Sequence, residues 1–562
     1  MKKVLVIGSG GREHAIAWKI DQNDVKIFAA PGNGGTATIA ENVGIKSDDI
    51  KGLARFAEEK EIDLTIVGPE LPISLGIYEE FRNRGLRILA PSKDGAQLEA
   101  SKIYAKKFMR KYGIPTADFR TFGDPEEALS YVGKIKKFPV VIKADGLAAG
   151  KGVVIAESPE EARETVENFM INKKFGEASS KIVIENFLEG QEFSIFILTD
   201  GNDYRVLGGA CDYKKLLEGD RGPNTGGMGS VAPVPFLDEG KLETVRTRII
   251  EPTILGIKSE KLEYKGFLYF GLIWTNDGPM VLEYNVRLGD PETQAMLPVL
   301  EVDFLGMIEN LLEGKLDEVN VPASTNRAVT VVAVSLGYPI KYTTGKEIIG
   351  LEESENTVIF HAGTKRENGK ILTSGGRVLA VTGIGDSFEE AISRAYQKIG
   401  QIHFEGMYYR RDIGEKWTRK ILIIAGSESD REFVSYGTEI LDRLAIPYEL
   451  RIISAHRNLP QLVEYLRNIS GFEVIIAVAG LSAHLPGVIA GLTNLPVIGV
   501  PRDTGPLNGM DALYSMVQMP RGVPVATMAI GKHGMINGIL EALRILSIKY
   551  EWALKALKNW RR

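Results

Sequence analysis

Six stretches of this chain place chemistry-bearing side chains at spacings that matter. PMVLEYNVRLGDPETQ at 279–294 reads as a strand, and side chains two apart on a strand share a face. Glu283, Asn285 and Arg287 are therefore expected on one face with Val281, and Leu282, Tyr284 and Val286 on the other. A carboxylate beside an amide oxygen is a hard-oxygen pair suited to Mg²⁺ on ATP phosphates. The neighbouring guanidinium can clamp a carboxylate or phosphate. A solvated polar face of an antiparallel sheet fits the same pattern. KADGLAAGKGVVIA at 143–156 lies between two strands and carries Lys143 and Lys151. It lacks the spacing of a P-loop, and reads as a glycine hairpin folding over a triphosphate or as an ordinary Gly-rich turn.

GSGGREH at 8–14 follows a strand and opens a helix, where backbone N–H groups can hold an anion. A dinucleotide fingerprint would need a third glycine at position 13, which is Glu. A mononucleotide phosphate site or a tight structural turn remain. In the second half, Ser427, Ser429 and Asp430 of AGSESD sit at a strand-to-helix turn. They suit a phosphate and ribose hydroxyls, or a simple helix cap. SAHR at 454–457 and AGLSAHLPG at 479–487 place His456 and His484 at the ends of two further strands. Histidine is the usual proton shuttle near neutral pH. Without Cys or clustered carboxylates beside them, a metal site is disfavoured.

The elements that must position these residues alternate. VLVIG, DLTIVGPE and LRILAPS, separated by helical patterns, indicate a parallel sheet at the start. A helix is predicted over 101–111. PVVIKAD, GKGVVIA, KIVIENFL and EFSIFIL read as a more antiparallel region, and AVTVVAVS and VIFHAGTK as a small supporting one. RRDIGEKWTRK at 410–420 is charged and non-periodic, as a linker would be. After it a doubly wound α/β pattern restarts, its loops at the carboxyl ends of the strands. The expected fold class is multidomain α/β: an N-terminal doubly wound domain at 1–103, a more antiparallel domain at 104–325, a small β-rich domain at 326–412, a linker at 413–419 and a second doubly wound parallel domain at 420–562.

With 562 residues, several cores are expected. A net charge of -5 argues against a general nucleic-acid surface. The single cysteine, Cys211, excludes an intramolecular disulfide. No run reads as a signal-peptide core or a membrane span, so a cytoplasmic location without a membrane partner is expected.

Taken together, GSGGREHA, PGNGGT (31–36), VGPE (67–70), KADGLAAGKGV, GPNTGGMG (222–229) and EYNVRLGDPETQ resemble the phosphoribosylamine–glycine ligase (GAR synthetase) family. The resemblance covers roughly the first 415 residues. It implies an ATP-grasp fold, with Lys102, Lys143 and Lys151 on ATP phosphates and Glu185 and Glu192 on the adenosine. It also implies Glu283 and Asn285 on Mg²⁺ (or Mn²⁺), and Gly10, Gly11 and Asn33 facing 5-phosphoribosylamine. Arg287, as a catalytic group, and Asp212 would lie near the amine and glycine. Glycine's carboxylate would attack the γ-phosphate and the amine would then displace phosphate, which needs positioning more than a protein nucleophile.

The stretch 420–548, with LYSMVQMPRGVPVATMAIG, resembles the small enzyme family that makes carboxyaminoimidazole ribonucleotide, which is flavodoxin-like and octameric. That implies His456 as general acid/base with His484 beside it, Arg457 and Ser429 on phosphate, Asp430 on ribose, and Ser427 and Ser454 completing the substrate set. SAHR and AHLPG side with the mutase branch, which moves CO₂ from the N5-carboxylated ribonucleotide. Leu481 and Ser482 replace the usual Gly-Ala-type pair. Direct carboxylation of aminoimidazole ribonucleotide by CO₂, or a non-catalytic assembly role, are the alternatives. A homo-oligomer is expected.

Overall fold

The computed structural model describes residues 1–21, 24–147 and 152–560. The chain divides into two compact units, Met1–Ile413 and Gly414–Arg562.

The first unit opens with five parallel strands: Lys2–Gly8 (β1), Val25–Pro31 (β2), Glu41–Asn42 (β3), Leu64–Val67 (β4) and Ile88–Leu89 (β5), in the order β3-β2-β1-β4-β5. The apolar run of β1 lies in the middle of the sheet and is buried on both faces, as a parallel strand between helices must be.

A four-stranded antiparallel sheet follows: Phe119–Phe122 (β6), Val140–Ala144 (β7), Val153–Ala156 (β8) and Ile182–Asn186 (β9), in the order β6-β9-β7-β8. Its alternation separates two faces. Val140, Ile142, Ala144, Ile182 and Ile184 enter an apolar core, which turns Lys143 and Glu185 to the opposite face.

The remaining strands are Gln191–Thr199 (β10), Tyr204–Asp212 (β11), Lys215–Leu217 (β12), Arg221–Asn224 (β13), Gly229–Ala232 (β14), Gly266–Thr275 (β15), Gly278–Asn285 (β16), Arg327–Val334 (β17), Thr357–His361 (β18), Thr364–Glu367 (β19), Lys370–Thr373 (β20) and Arg377–Gly385 (β21). Eight of them form one continuous sheet, β16-β15-β10-β11-β14-β17-β21-β18. The boundary expected at 325/326 therefore does not separate two sheets. Antiparallel pairing of β14 with β17 carries the ladder straight across it.

The stretch read as a linker is packed rather than loose. Ile413 and Trp417 are buried, and Glu415–Trp417 forms a 3₁₀ turn. The charge run before it is an internal network. Fully buried Arg410 donates to Asp412 (2.8 and 2.7 Å), Asp220 (2.9 Å) and the Lys215 carbonyl (3.0 Å), and so holds the β12–β13 hairpin.

The second unit is a parallel sheet of Ile421–Ala425 (β22), Tyr448–Ile452 (β23), Val474–Ala479 (β24), Val497–Pro501 (β25) and Ala526–Thr527 (β26), ordered β23-β22-β24-β25-β26. This is the flavodoxin-like order, whose ligand crevice lies at the carboxyl ends beside the first strand. Apolar clusters cover both faces of the sheet. Among the described residues no helix is long and apolar enough to cross a membrane.

Candidate active sites

In the first unit, one irregularity decides how the carboxylate strand presents itself. Val281 pairs with Leu272 and Glu283 with Gly271, so Leu282 is an extra residue, a β-bulge. Leu272 and Gly271 lie on opposite faces of β15, so Val281 and Glu283 do too. The expectation that Val281 shares the face of Glu283 is corrected by this bulge, which the sequence did not signal. Glu283 and Asn285 do share a face, and the strand ends at Asn285. Arg287 folds back onto it and donates to Asn285 Oδ1 at 2.9 Å.

The bulge also frees the Leu282 carbonyl to accept from Lys143 Nζ at 3.1 Å. Lys143, on β7, thereby bridges the two sheets. Its second partner is Glu185 (2.5 Å). Glu185 lies buried between Lys143 and Lys106, pairing with both. Glu185, expected on the adenosine, orients two lysines here. Burial pushes Lys106 down to about 8 against the pull of Glu185.

Lys102 begins the helix Lys102–Lys111, one residue after its cap Ser101. Asp145 fixes that start, accepting from Ser101 Oγ and from the Ile103 N–H, both at 2.8 Å. Lys102 and Lys106, four residues apart, share a helix face. Burial opposes the charge on Glu283, but Lys214, Lys102, Lys143 and Arg287 outweigh it and hold its pKa low. Glu192 pairs with Lys214 at 2.9 Å. Lys151 lies outside the described residues.

Among the described residues no cluster of three or more His, Cys, Asp or Glu could cage a metal. Glu283 and Asn285 supply two hard oxygens, which fits Mg²⁺ carried mainly by water and phosphate oxygens.

At the parallel sheet, Glu13 occupies the space that a third glycine would have left. A Cβ on Gly8 would lie 2.4 Å from Glu13 Cγ, and one on Gly68 2.1 Å from Glu13 Oε1. The carboxylate accepts from the Gly10 N–H (2.6 Å) and from Arg12 Nε (2.6 Å), so Glu13 satisfies the N–H of the residue that caps Gly11–Ile20. Gly11 is bare because a Cβ would meet Gln294 Nε2 at 2.5 Å. Asn33, expected to face 5-phosphoribosylamine, also anchors its own loop. It donates to the Ser9 (3.0 Å) and His361 (2.8 Å) carbonyls and accepts from the Gly35 (2.8 Å) and Thr36 (2.9 Å) N–H groups.

The segment read as merely supporting is part of this site. The His361 N–H donates to His14 Nδ1 at 2.8 Å. Burial holds His14 near 3 and His361 near 4, so both are neutral. Arg377 pairs with Asp290 (3.0 Å) and donates to the Gly226 carbonyl (2.6 Å), tying GPNTGGMG to GDPETQ. Arg287 is held by Glu99 (2.8 Å) and Glu70 (3.4 Å). Sequence reasoning missed Glu99, Arg377, Lys106 and Lys214, which lie outside every motif. Glu70 and Asp290 lay inside VGPE and GDPETQ and could have been found there.

In the second unit the predicted residues gather at the carboxyl edge of the sheet. His456 Nε2 and His484 Nδ1 are 2.8 Å apart, their rings perpendicular at 87°. One ring must donate and the other accept, so the bridge requires a neutral nitrogen on one of them. Arg457 donates to the Gly426 carbonyl (3.2 Å), and its N–H to Ser454 Oγ (3.3 Å). Ser427 and Asp430 form a capping box, with Ser427 N to Asp430 Oδ2 at 2.9 Å. Asp430 Oδ1 also takes Arg502 Nη1 at 2.5 Å, and Ser429 Oγ lies 3.3 Å from the same nitrogen. Arg502, just after β25, was not singled out in the sequence. Leu481 sits at φ 54°, in the left-handed region, which explains why glycine is usual there.

Two antiparallel sheets bridged by a lysine, with a carboxylate strand beneath, define an ATP-grasp ligase architecture. Comparison with known families agrees: the phosphoribosylglycinamide synthetase N domain matches residues 2–99, its ATP-grasp (A) domain 100–293 and its C domain 328–416, while AIR carboxylase matches 420–562. A phosphoribosylamine–glycine ligase of Caldanaerobacter subterraneus subsp. tengcongensis is 49% identical over 413 residues, 73% of this chain and 99% of that protein. The crystal structure of the Thermotoga maritima phosphoribosylamine–glycine ligase is 37% identical with a TM-score of 0.65, over 73% of this chain and 99% of that one. The biotin carboxylase domain of Hydrogenobacter thermophilus 2-oxoglutarate carboxylase shares the fold alone, at 16% identity and a TM-score of 0.58, over 73% of this chain and 91% of that one. The chain belongs to the phosphoribosylamine–glycine ligase family and carries an AIR carboxylase-family domain after it.

Proposed function

We propose that this chain is a bifunctional enzyme of purine biosynthesis. The first unit joins glycine to 5-phosphoribosylamine at the expense of ATP. The second converts N5-carboxyaminoimidazole ribonucleotide to 4-carboxy-5-aminoimidazole ribonucleotide. For the ligase, the observation that carries the reading is the bulged strand facing Lys143: Glu283 and Asn285 share a face, Arg287 folds back onto Asn285, Lys143 bonds the Leu282 carbonyl, and Lys102 and Lys143 act together on the Glu283 charge.

Lys102 and Lys143 neutralise triphosphate charge and hold the γ-phosphate for in-line attack by glycine's carboxylate. Arg287, itself positioned by Glu99 and Glu70, supplies the positive charge that draws that carboxylate to the end of the strand. Glu283 and Asn285 would hold Mg²⁺, which withdraws charge from the phosphates when bound. The glycyl phosphate is then attacked by the amine, and phosphate leaves. Purified protein given ATP, glycine and 5-phosphoribosylamine should release ADP. ADP release that does not depend on glycine would overturn this reading.

For the second unit, the carrying observation is the His456–His484 bridge at the sheet's carboxyl edge. A hydrogen-bonded pair holding one bridging proton is suited to passing protons to and from a ring carbon. Arg457, Ser429 and Arg502 offer donors for a ribonucleotide phosphate, with Asp430 near ribose. SAHR and AHLPG support the mutase over direct carboxylation. Turnover of the N5-carboxylated substrate, with none of aminoimidazole ribonucleotide plus bicarbonate, is the expected result; the reverse pattern would assign the other branch.

A further inference from the structure

The ligation releases a proton from the attacking amine, and the residues discussed so far leave it without an acceptor. Glu292 is the first residue of the helix Glu292–Val299, which packs on β11 and β14. It is 5% exposed, and its carboxyl turns back over Gly289, where a Cβ would lie 2.5 Å from Oε2. Across from it on β11 stands Asp212, whose register partner on β14 is Ser230. Partners across a ladder share a face, and on β11 it is also the face of Gly208, where a Cβ would lie 3.7 Å from Met296 of this helix, so Asp212 and Ser230 both turn toward it.

Ser230 Oγ, beside Asp212 on that face, is buried and has no hydrogen-bond partner among the described residues. An orphaned polar atom beside a carboxyl pair marks a place where a polar ligand belongs.

We propose that Asp212 and Glu292 act as one carboxyl pair that accepts the proton of the amine during ligation. This rests on the ligase reading above. The amine nitrogen forms a bond to the acyl carbon of glycyl phosphate, and the carbon–oxygen bond to phosphate breaks with its electron pair leaving on phosphate. The amine proton moves onto the pair.

Two buried carboxyls that share a site do not both ionise readily. Burial first and then Asp212 push Glu292 up to about 7, while Lys214 and Arg287 pull the other way. Asp212 is likewise raised by burial, against Lys214. Tyr269 on β15 and Arg377 on β21 also face Glu292. The pair is thus poised near the working pH, where a general base is most effective.

The test separates the two half-reactions in the intact chain. Glycine-dependent scrambling of the β,γ-bridge oxygen-18 of ATP, with ribose 5-phosphate in place of the amine, reads acyl phosphate formation. Amide formation reads the proton-requiring step. Glu292→Gln should leave scrambling within about twofold of wild type and lower amide formation on the order of 10²-fold. Glu292→Asp should recover part of the loss. In wild type, amide formation should carry an acid limb that scrambling lacks. Equal losses in both half-reactions, or undiminished amide formation, would overturn the pair. If Glu292→Gln does not fold, identical wild-type pH profiles for the two half-reactions overturn it instead. A wild-type protein showing neither glycine-dependent scrambling nor amide formation would remove the ligase reading itself.

Discussion

Replacing Lys106 by Met tests how the lysine–glutamate–lysine cluster is balanced. Lys106 is 2% exposed and pairs with Glu185, and its ammonium donates to Thr116 Oγ1 at 2.6 Å. Burial lowers its pKa from the ordinary 10.5 to about 8, Glu185 opposing. At 1.36 kcal/mol per pH unit, that fall is worth about 3 kcal/mol. The sign follows from proton counts. Between about pH 8 and 10.5 the unfolded chain still binds a proton that the folded chain has lost, so stability rises with pH there. Below that window both states are protonated and the cost of the buried charge is fully present. Methionine fills a similar volume and does not titrate, and Glu185 keeps Lys143 as its counter-charge, so the change does not leave a buried charge unpaired, the case that costs about 3–5 kcal/mol.

Lys106→Met should therefore equal or exceed wild type in stability at pH 7. It should then lose ground to wild type by about 3 kcal/mol as pH rises through 8 to 10.5. Denaturant unfolding of both proteins at pH 7, 9 and 10, following the first unit, measures the difference directly. The KM for ATP should rise as well, because Glu185 would then be left to Lys143 alone. A stability difference that stays constant with pH, or grows in favour of Met, would refute the reasoning.

Further outcomes follow from the same geometry. Glu185→Gln leaves Lys106 and Lys143 buried without their counter-charge, and a loss of about 3–5 kcal/mol in the first unit is expected by calorimetry at pH 7. Glu283→Ala should abolish ligation while the carboxyl-transfer reaction continues; His456→Asn should do the opposite, lowering carboxyl transfer by at least about 10²-fold. Leu481 is half exposed at φ 54°, so Leu481→Gly should stabilise the second unit by about 1 kcal/mol in thermal unfolding.

Much of this was legible in the residues. The apolar runs of β1, β4, β22, β24 and β25 announced their parallel sheets, because strands buried on both faces have few polar alternatives. The histidines of SAHR and AGLSAHLPG could be placed at one edge, since each follows a strand of that sheet. Three features were not legible. The bulge at Leu282 is a property of pairing with β15, and nothing in LEYN signals it. Asn33 and Glu185 carry functional groups suited to ligands, but their partners, His361 and Lys106, come from distant segments. The charge run at 410–420 looked solvated because composition cannot reveal that Arg410 meets Asp220 across 190 residues of sequence.

The unbroken eight-stranded sheet also constrains how this protein can be recombined. A fragment ending at 325 would lack β17, β21 and β18 and leave Gly229–Ala232 as an open edge. Such an edge offers unpaired N–H and C=O groups to any other strand, a route to self-association. Residues 326–413 would conversely expose the edge of β17. Exchange between relatives at the seam between the A and C domains thus has to preserve a backbone ladder as well as side-chain packing, so hybrids joined there should be far less tolerant than those joined at Ile413/Gly414, where the chain passes from one compact unit to the next.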